Sequence, residues 1–386
     1  MTYALYLHIP FCRVRCTYCA FNTYADHEHL MDGYVAALIK EIRYLPPHLP
    51  AHTIYFGGGT PSLLSSDQIA AIVEAIRGHF QTTPTLEITV EANPGTVDTD
   101  RLQGYRAAGV NRLSIGMQSA HPAELSMFGR LHGVDAVAQT VHDARQAGFD
   151  NLSLDLIYGV PLQTREMWQA SLHHALSLAP DHLSLYALSL EAGTELARRV
   201  KYQELPLPDS DLAADMYDDA TALLAEAGFI QYEISNWSRE GKECQHNIQY
   251  WRNLPYFGLG AGAHGYVNQT RTVNAMRPEV YIQRLEDDST TSLPFPQTPA
   301  TIKAEALDTP TDMGETVFMG LRLLQEGLSL EAFAARYGER FETRFGEDMQ
   351  RLIQRGLLSL EDDCLKLTPS ARLISNYVFQ HFVEVV

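Results

Sequence analysis

The chain has 386 residues, 29 Lys or Arg against 47 Asp or Glu, and a formal net charge of -18. With 45% hydrophobic and 20% charged residues it has the balance of a folded globular protein, which excludes disorder, collagen and coiled coil as descriptions of the whole. No long run of Lys and Arg offsets the acidic balance, so salt-driven nucleic-acid binding, which needs extended groups of cations, is not expected.

The first 240 residues alternate short apolar runs with amphipathic stretches. Strands are predicted at Tyr3–His8, Thr53–Phe56, Leu86–Glu91, Arg112–Met117, Leu152–Ile157 and His182–Leu188. Several are nearly continuous apolar runs, as in parallel strands buried on both faces. Helical patterns fall between them at Asp32–Leu45, Ser66–Phe80, Asp135–Ala147 and Ser210–Ala227. The second opens on a Ser-Ser-Asp cap, and the last two end at Gly148 and Gly228, which suit left-handed helix ends. Six βα units in series predict an α/β fold, a partial (β/α)6 TIM-like barrel over residues 1–235.

Residues 236–300 are rich in Asn, Gly, Pro and Tyr and are read as a connecting segment without a repeat of strand and helix. Residues 301–386 are read as a smaller helical, winged-helix-like domain. Its helices are expected at Gly314–Glu326, Ser329–Tyr337, Phe341–Gly356 and Thr368–Phe382, with a hairpin over Leu357–Leu367. The hairpin tip is Glu361-Asp362-Asp363, acidic where a DNA-binding wing should be basic.

Three of the five cysteines fall within eight residues, Cys12, Cys16 and Cys19, in a C-x3-C-x2-C array. An odd total with one tight group is not a disulfide framework. The start of the chain lacks a basic region and a long apolar run, so no secretory leader is expected, and no run of about 18 apolar residues occurs. The expectation is a cytoplasmic, reducing setting, with peripheral membrane association left open. Soft thiolates there suit an iron–sulfur cubane, and three ligands leave one iron open to a small molecule. The alternatives are a zinc site completed by His8, His27 or His29, and three inert thiols.

Tyr6-x-His8-Ile9-Pro10-Phe11-Cys12-x3-Cys16-x-Tyr18-Cys19 resembles the opening of radical S-adenosylmethionine (SAM) enzymes of the oxygen-independent coproporphyrinogen oxidase group. The resemblance implies a [4Fe-4S] cluster on the three cysteines. It implies SAM chelated by the open iron, and cleavage of SAM to a 5′-deoxyadenosyl radical by an electron from an outside donor. It also implies a SAM pocket formed by Gly58, Gly59 and Thr60 after the second strand, Glu91, Gln118 and Asp155 at later strand ends, and Arg130, with Tyr6 and Tyr18 beside the cluster.

Two departures choose within the group. Phe21 stands where the oxidases carry a further cysteine, and only eleven residues precede Cys12. His246-Asn-Ile-Gln-Tyr250-Trp251 resembles the signature of the heme chaperone branch, which implies heme as cargo, His246 as its ligand, and acceptor hemoproteins such as respiratory cytochromes as partners. A radical SAM enzyme acting on a tetrapyrrole is the alternative, and a homodimer is left open. Gly260-Ala-Gly-Ala-His264-Gly matches a dinucleotide fingerprint in letters only. It lacks the strand-to-helix setting and is read as close backbone packing, with His264 a second heme-ligand candidate.

Overall fold

A computed structural model describes residues 2–287 and 293–383. The barrel strands are β1 (Tyr3–Ile9), β2 (Pro50–Gly58), β3 (Gln81–Ala92), β4 (Arg112–Gln118), β5 (Leu152–Tyr158) and β6 (His182–Ala187). They alternate with α1 (Met31–Tyr44), α2 (Ser66–His79), α3 (Thr99–Ala108), α4 (Val134–Gln146), α5 (Arg165–Ser177) and α6 (Ser210–Glu226). Each neighbouring pair from β1 to β6 is parallel, and all seven residues of β4 are buried, as the apolar runs require.

The helices pack by the faces their sequences offer. Tyr34, Leu38 and Ile42 of α1 are buried against the sheet. Ser65 and Gln68 form a reciprocal capping box that starts α2, satisfying donors the helix itself leaves free.

The segment 236–300 is not an irregular connector. After β7 (Ile230–Glu233) and β8 (Asn236–Ser238) come helix α7 (Gln245–Trp251) and strands β9 (Tyr256–Leu259), β10 (His264–Val267) and β11 (Thr270–Asn274). Helix α8 (Pro278–Glu286) and β12 (Thr301–Ala306) follow, and residues 288–292 lie outside the described chain. β9 pairs parallel to β1, so the sheet runs β12-β11-β10-β9-β1-β2-β3-β4-β5-β6-β8-β7. Phe257, Leu259, Val267, Tyr281 and Leu285 share the barrel's apolar core. These strands are short and broken by Gly and Asn, which hides their period in the sequence.

The C-terminal region has its own core, centred on Val317, Phe333, Phe341, Phe345 and Leu352. Its helices α9 (Thr309–Gly320), α10 (Leu330–Tyr337) and α11 (Phe341–Gln354) precede the expected hairpin, Leu358–Glu361 paired with Cys364–Leu367. The long last helix is not formed. Thr368–Phe382 holds one 3-10 turn at Pro369–Ala371 and a short helix at Ser375–Phe379.

Candidate functional site

The C-terminal ends of the parallel strands enclose a chamber of about 560 Å3, within the range of small-molecule pockets, about 300–1,000 Å3. Cys12, Cys16 and Cys19 line it together with Tyr18, Gly58, Gly59, Thr60, Glu91, Gln118, Arg130 and Asp155. The twelve residues predicted for the cluster and SAM are those three thiols, these eight and Tyr6, and all but Tyr6 meet in this one chamber.

The cysteine loop is fixed from several sides. Cys19 N–H donates to Cys16 O at 3.1 Å, and Thr17 donates from its backbone and its hydroxyl to the Phe128 and Met127 carbonyls. Thr60 Oγ1 donates to Cys12 Sγ at 3.6 Å, and Arg130 Nη1 to Cys16 Sγ at 3.4 Å. Burial pushes the Cys12 thiol up to about 11. Soft thiols around a chamber, with donors aimed at two of the sulfurs, form a donor set that fits an iron–sulfur cluster. Among the described residues no three thiol, imidazole or carboxyl groups converge on a single-ion site. His8, offered above as a zinc ligand, has Nδ1 3.0 Å from Tyr6 Oη and Nε2 2.8 Å from Asn22 O.

The glycines after β2 are there for space. A Cβ on Gly58 would lie 2.6 Å from the His8 ring, and one on Gly59 would lie 2.6 Å from Phe11 O and 3.0 Å from Cys12 Sγ. Gly58 also has a left-handed φ of 113°. Its N–H donates to Glu91 Oε2 at 3.2 Å, while Tyr55 Oη donates to Glu91 Oε1 at 2.8 Å. Burial, opposed by the Tyr55 hydrogen bond and reinforced by Asp155, raises the Glu91 carboxyl to about 7. A buried carboxyl held so high is poised for a cationic partner.

Arg130 reaches from a loop into the chamber wall, donating to Asn93 Oδ1 at 2.8 Å and Gly116 O at 2.7 Å. Asn93 in turn donates to Thr60 Oγ1 at 3.0 Å, which joins the β3, β4 and β2 ends in one polar chain. Sequence reasoning missed Asn93, although it sits two residues after Glu91 in the same motif. It also missed Ser114, whose hydroxyl lies 3.0 Å from Asp155 Oδ1. Asp155 is the middle residue of β5 rather than its end, and it points into the chamber from within the barrel. Gln118 does end β4, with a left-handed φ of 63° that is strained for a side-chain-bearing residue.

Two predicted residues stand elsewhere. Tyr6 lines an adjoining cleft with His8 rather than the chamber. His246 is 1% exposed on α7, beneath the barrel floor. Its Nδ1 lies 2.9 Å from Thr53 Oγ1 and its Nε2 2.8 Å from Tyr250 Oη, and its ring stacks on Tyr55 at 4.9 Å. Burial lowers this imidazole to about 3. With both nitrogens engaged and no open surface, His246 presents nothing to a heme iron in this conformation.

The Gly260–Gly265 segment is close packing, as its letters suggested. Cβ atoms on Gly260 and Gly262 would lie 2.5 Å from His8 O and 2.3 Å from Asn22 Nδ2.

A family model described as Radical SAM superfamily matches residues 6–175, and one described as HemN C-terminal domain matches residues 307–374. "Heme chaperone HemW" of Mycobacterium tuberculosis is 39% identical over 382 residues, covering 97% of this chain and 93% of that protein. The protein of the same description from Bacillus subtilis is 36% identical, with 98% of each chain covered. "Radical S-adenosyl methionine domain-containing protein 1, mitochondrial" of Mus musculus is 43% identical over 290 residues, covering 74% of this chain and 65% of that one. Among solved structures, coproporphyrinogen III oxidase (HemN) from Escherichia coli, described as a radical SAM enzyme, superposes with a TM-score of 0.84 at 25% identity. It covers all of this chain and 91% of its own.

Proposed function

Because the chain belongs to the HemW family of the radical SAM superfamily, we propose that it is a heme chaperone that holds a [4Fe-4S] cluster and SAM and passes heme to acceptor hemoproteins. The observation that carries this reading is the meeting of three cysteines, the Gly58–Thr60 turn, Glu91, Gln118, Arg130 and Asp155 around one chamber. Cys12, Cys16 and Cys19 hold the cluster, which when bound supplies an electron and one open iron.

The remaining residues act on SAM. Glu91 offers its carboxylate to the ammonium group, and the Gly58–Thr60 backbone lets the ligand approach without a clash. Arg130 tethers the Cys16 sulfur to the strand ends and would supply positive charge for the carboxylate of bound SAM. Residues 1–235 carry cluster and SAM in this reading, 236–300 the heme-related motif, and 301–386 the helical domain.

The whole-chain likeness to coproporphyrinogen III oxidase favours one second reading, a radical SAM enzyme that modifies a tetrapyrrole. Anaerobic reconstitution and heme titration separate the two. The chaperone reading expects about four irons per chain, a Soret shift on adding heme, and no turnover of coproporphyrinogen III with SAM and reductant. Turnover without a Soret shift favours the enzyme instead.

A further inference from the structure

The adjoining cleft lies beside the cluster and SAM chamber and is separate from it. It measures about 350 Å3 and lies where the loop after Cys19 meets the Gly260–Gly265 turn. Ala20 and Phe21 line both it and the cluster chamber, so the two spaces share a wall. Its sides are apolar rings and a thioether: Phe21, 67% exposed, Tyr250, Tyr256 and Met276. Tyr250 and Tyr256 meet edge to face at 4.5 Å. Flat rings and a soft sulfur suit a porphyrin face.

Two imidazoles face this cleft, His8 and His264. His8 is committed at both nitrogens, as described above. His264 opens β10 with an exposed side chain, and neither of its ring nitrogens meets a hydrogen-bond partner among the described residues. Burial and Arg271 hold it below the ordinary imidazole range, so it is a neutral donor at pH 7. The turn that carries it is rigid. Glu41 accepts from Gly260 N–H at 2.8 Å, Tyr281 Oη at 2.7 Å and Asn274 Nδ2 at 2.8 Å, and Asn22 Nδ2 donates to Ala261 O and Met276 O.

Resting on the family reading above, we propose that heme docks in this cleft with His264 as its axial ligand, and that His246 is a positioning residue that orients Tyr250 in the cleft wall. The cleft is too small to engulf a porphyrin and leaves Phe21 and Met276 in contact with solvent. A carrier needs that arrangement, because cargo must leave by the same face. The arrangement also gives the His-Asn-x-x-Tyr-Trp string a physical role: its histidine holds Tyr250 from behind, and Tyr250 meets the ligand.

The test is heme titration of the anaerobically reconstituted full chain, read by Soret absorption and by the redox potential of bound heme. The parent shows a shifted Soret band. His264→Ala loses it or binds at least tenfold more weakly, with iron content and SAM binding unchanged. His264→Met keeps heme but moves its Soret maximum and raises its potential, because the axial ligand sets both. His246→Phe keeps the parent's Soret maximum. A His264→Ala protein with the parent's spectrum and affinity overturns the assignment, as does loss of the band in a folded His246→Phe protein that retains its iron. No Soret shift in the parent overturns the heme reading itself, and this inference with it.

Discussion

Cys16 and Glu91 carry the most direct consequences at the scale of single residues. Cys16→Ala removes one of three thiolates and the acceptor of the Arg130 bond. Reconstituted iron should fall from about four per chain to near zero, with loss of the broad brown absorption, as measured by iron assay and spectroscopy. Glu91 makes a prediction in pH. Its folded value of about 7 lies above the ordinary 4.5, so between those values the folded chain holds a proton that the unfolded chain has released. The SAM-free fold therefore loses stability as pH rises from about 4.5 to 7, and SAM, which favours the ionised carboxylate, binds more weakly as pH falls below about 7. Calorimetry of SAM binding across that range should show the fall in the parent and its absence in Glu91→Gln, which binds weakly throughout. Most chamber residues were legible because they sit in short motifs at or near strand ends, Asp155 within its strand and Arg130 on a loop being the exceptions. The surroundings of His246 were not legible, because a motif gives a residue's presence and not its burial, and the hydrogen bonds that occupy its ring come from Thr53, 193 residues away, and from Tyr250.

Among the elements, the six barrel strands lie within a few residues of their predicted places, since two-sided burial writes itself as an apolar run. Strands β9 to β11 did not announce themselves. They are four or five residues long, and their place beside β1 is fixed by distant contacts rather than by local pattern. Glu41 explains how this edge is held. Helix α1 delivers a fully buried carboxylate to the Gly260 turn and to Asn274, Tyr281 and Thr298. Glu41→Ala strands several buried donors and should lower the folding free energy by about 2–5 kcal/mol. Chemical denaturation measures that loss, and hydrogen exchange should locate the loosening at residues 258–275. The expected final helix is interrupted after the 3-10 turn at Pro369–Ala371, where the chain turns over 372–374 before the short helix Ser375–Phe379.

Across the whole molecule, α7 joins three parts. His246 faces the barrel floor, Tyr250 the cleft, and Trp251 lies under Arg322 of the C-terminal region at 4.2 Å. Arg252 pairs with Glu326 through two bonds, and Asn253 donates to Asp312 and Thr316. The motif is thus a hinge of contacts as well as a wall of the cleft, which its letters alone do not convey. The acidic balance also acts at this scale: with a net charge of -18 and an acidic hairpin tip, the chain should show no DNA retention in a shift assay at moderate salt. No described helix is long and apolar enough to cross a membrane. The central claim is that this scaffold carries heme rather than transforming a tetrapyrrole. The measurement that tests it most directly is heme transfer from the cluster-loaded, heme-loaded chain to an apo-cytochrome, followed by the acceptor's Soret band. The acceptor's band is expected to grow as the donor's declines, with His264→Ala unable to supply it. Heme that stays on the donor, together with turnover of coproporphyrinogen III by the same preparation, would contradict it.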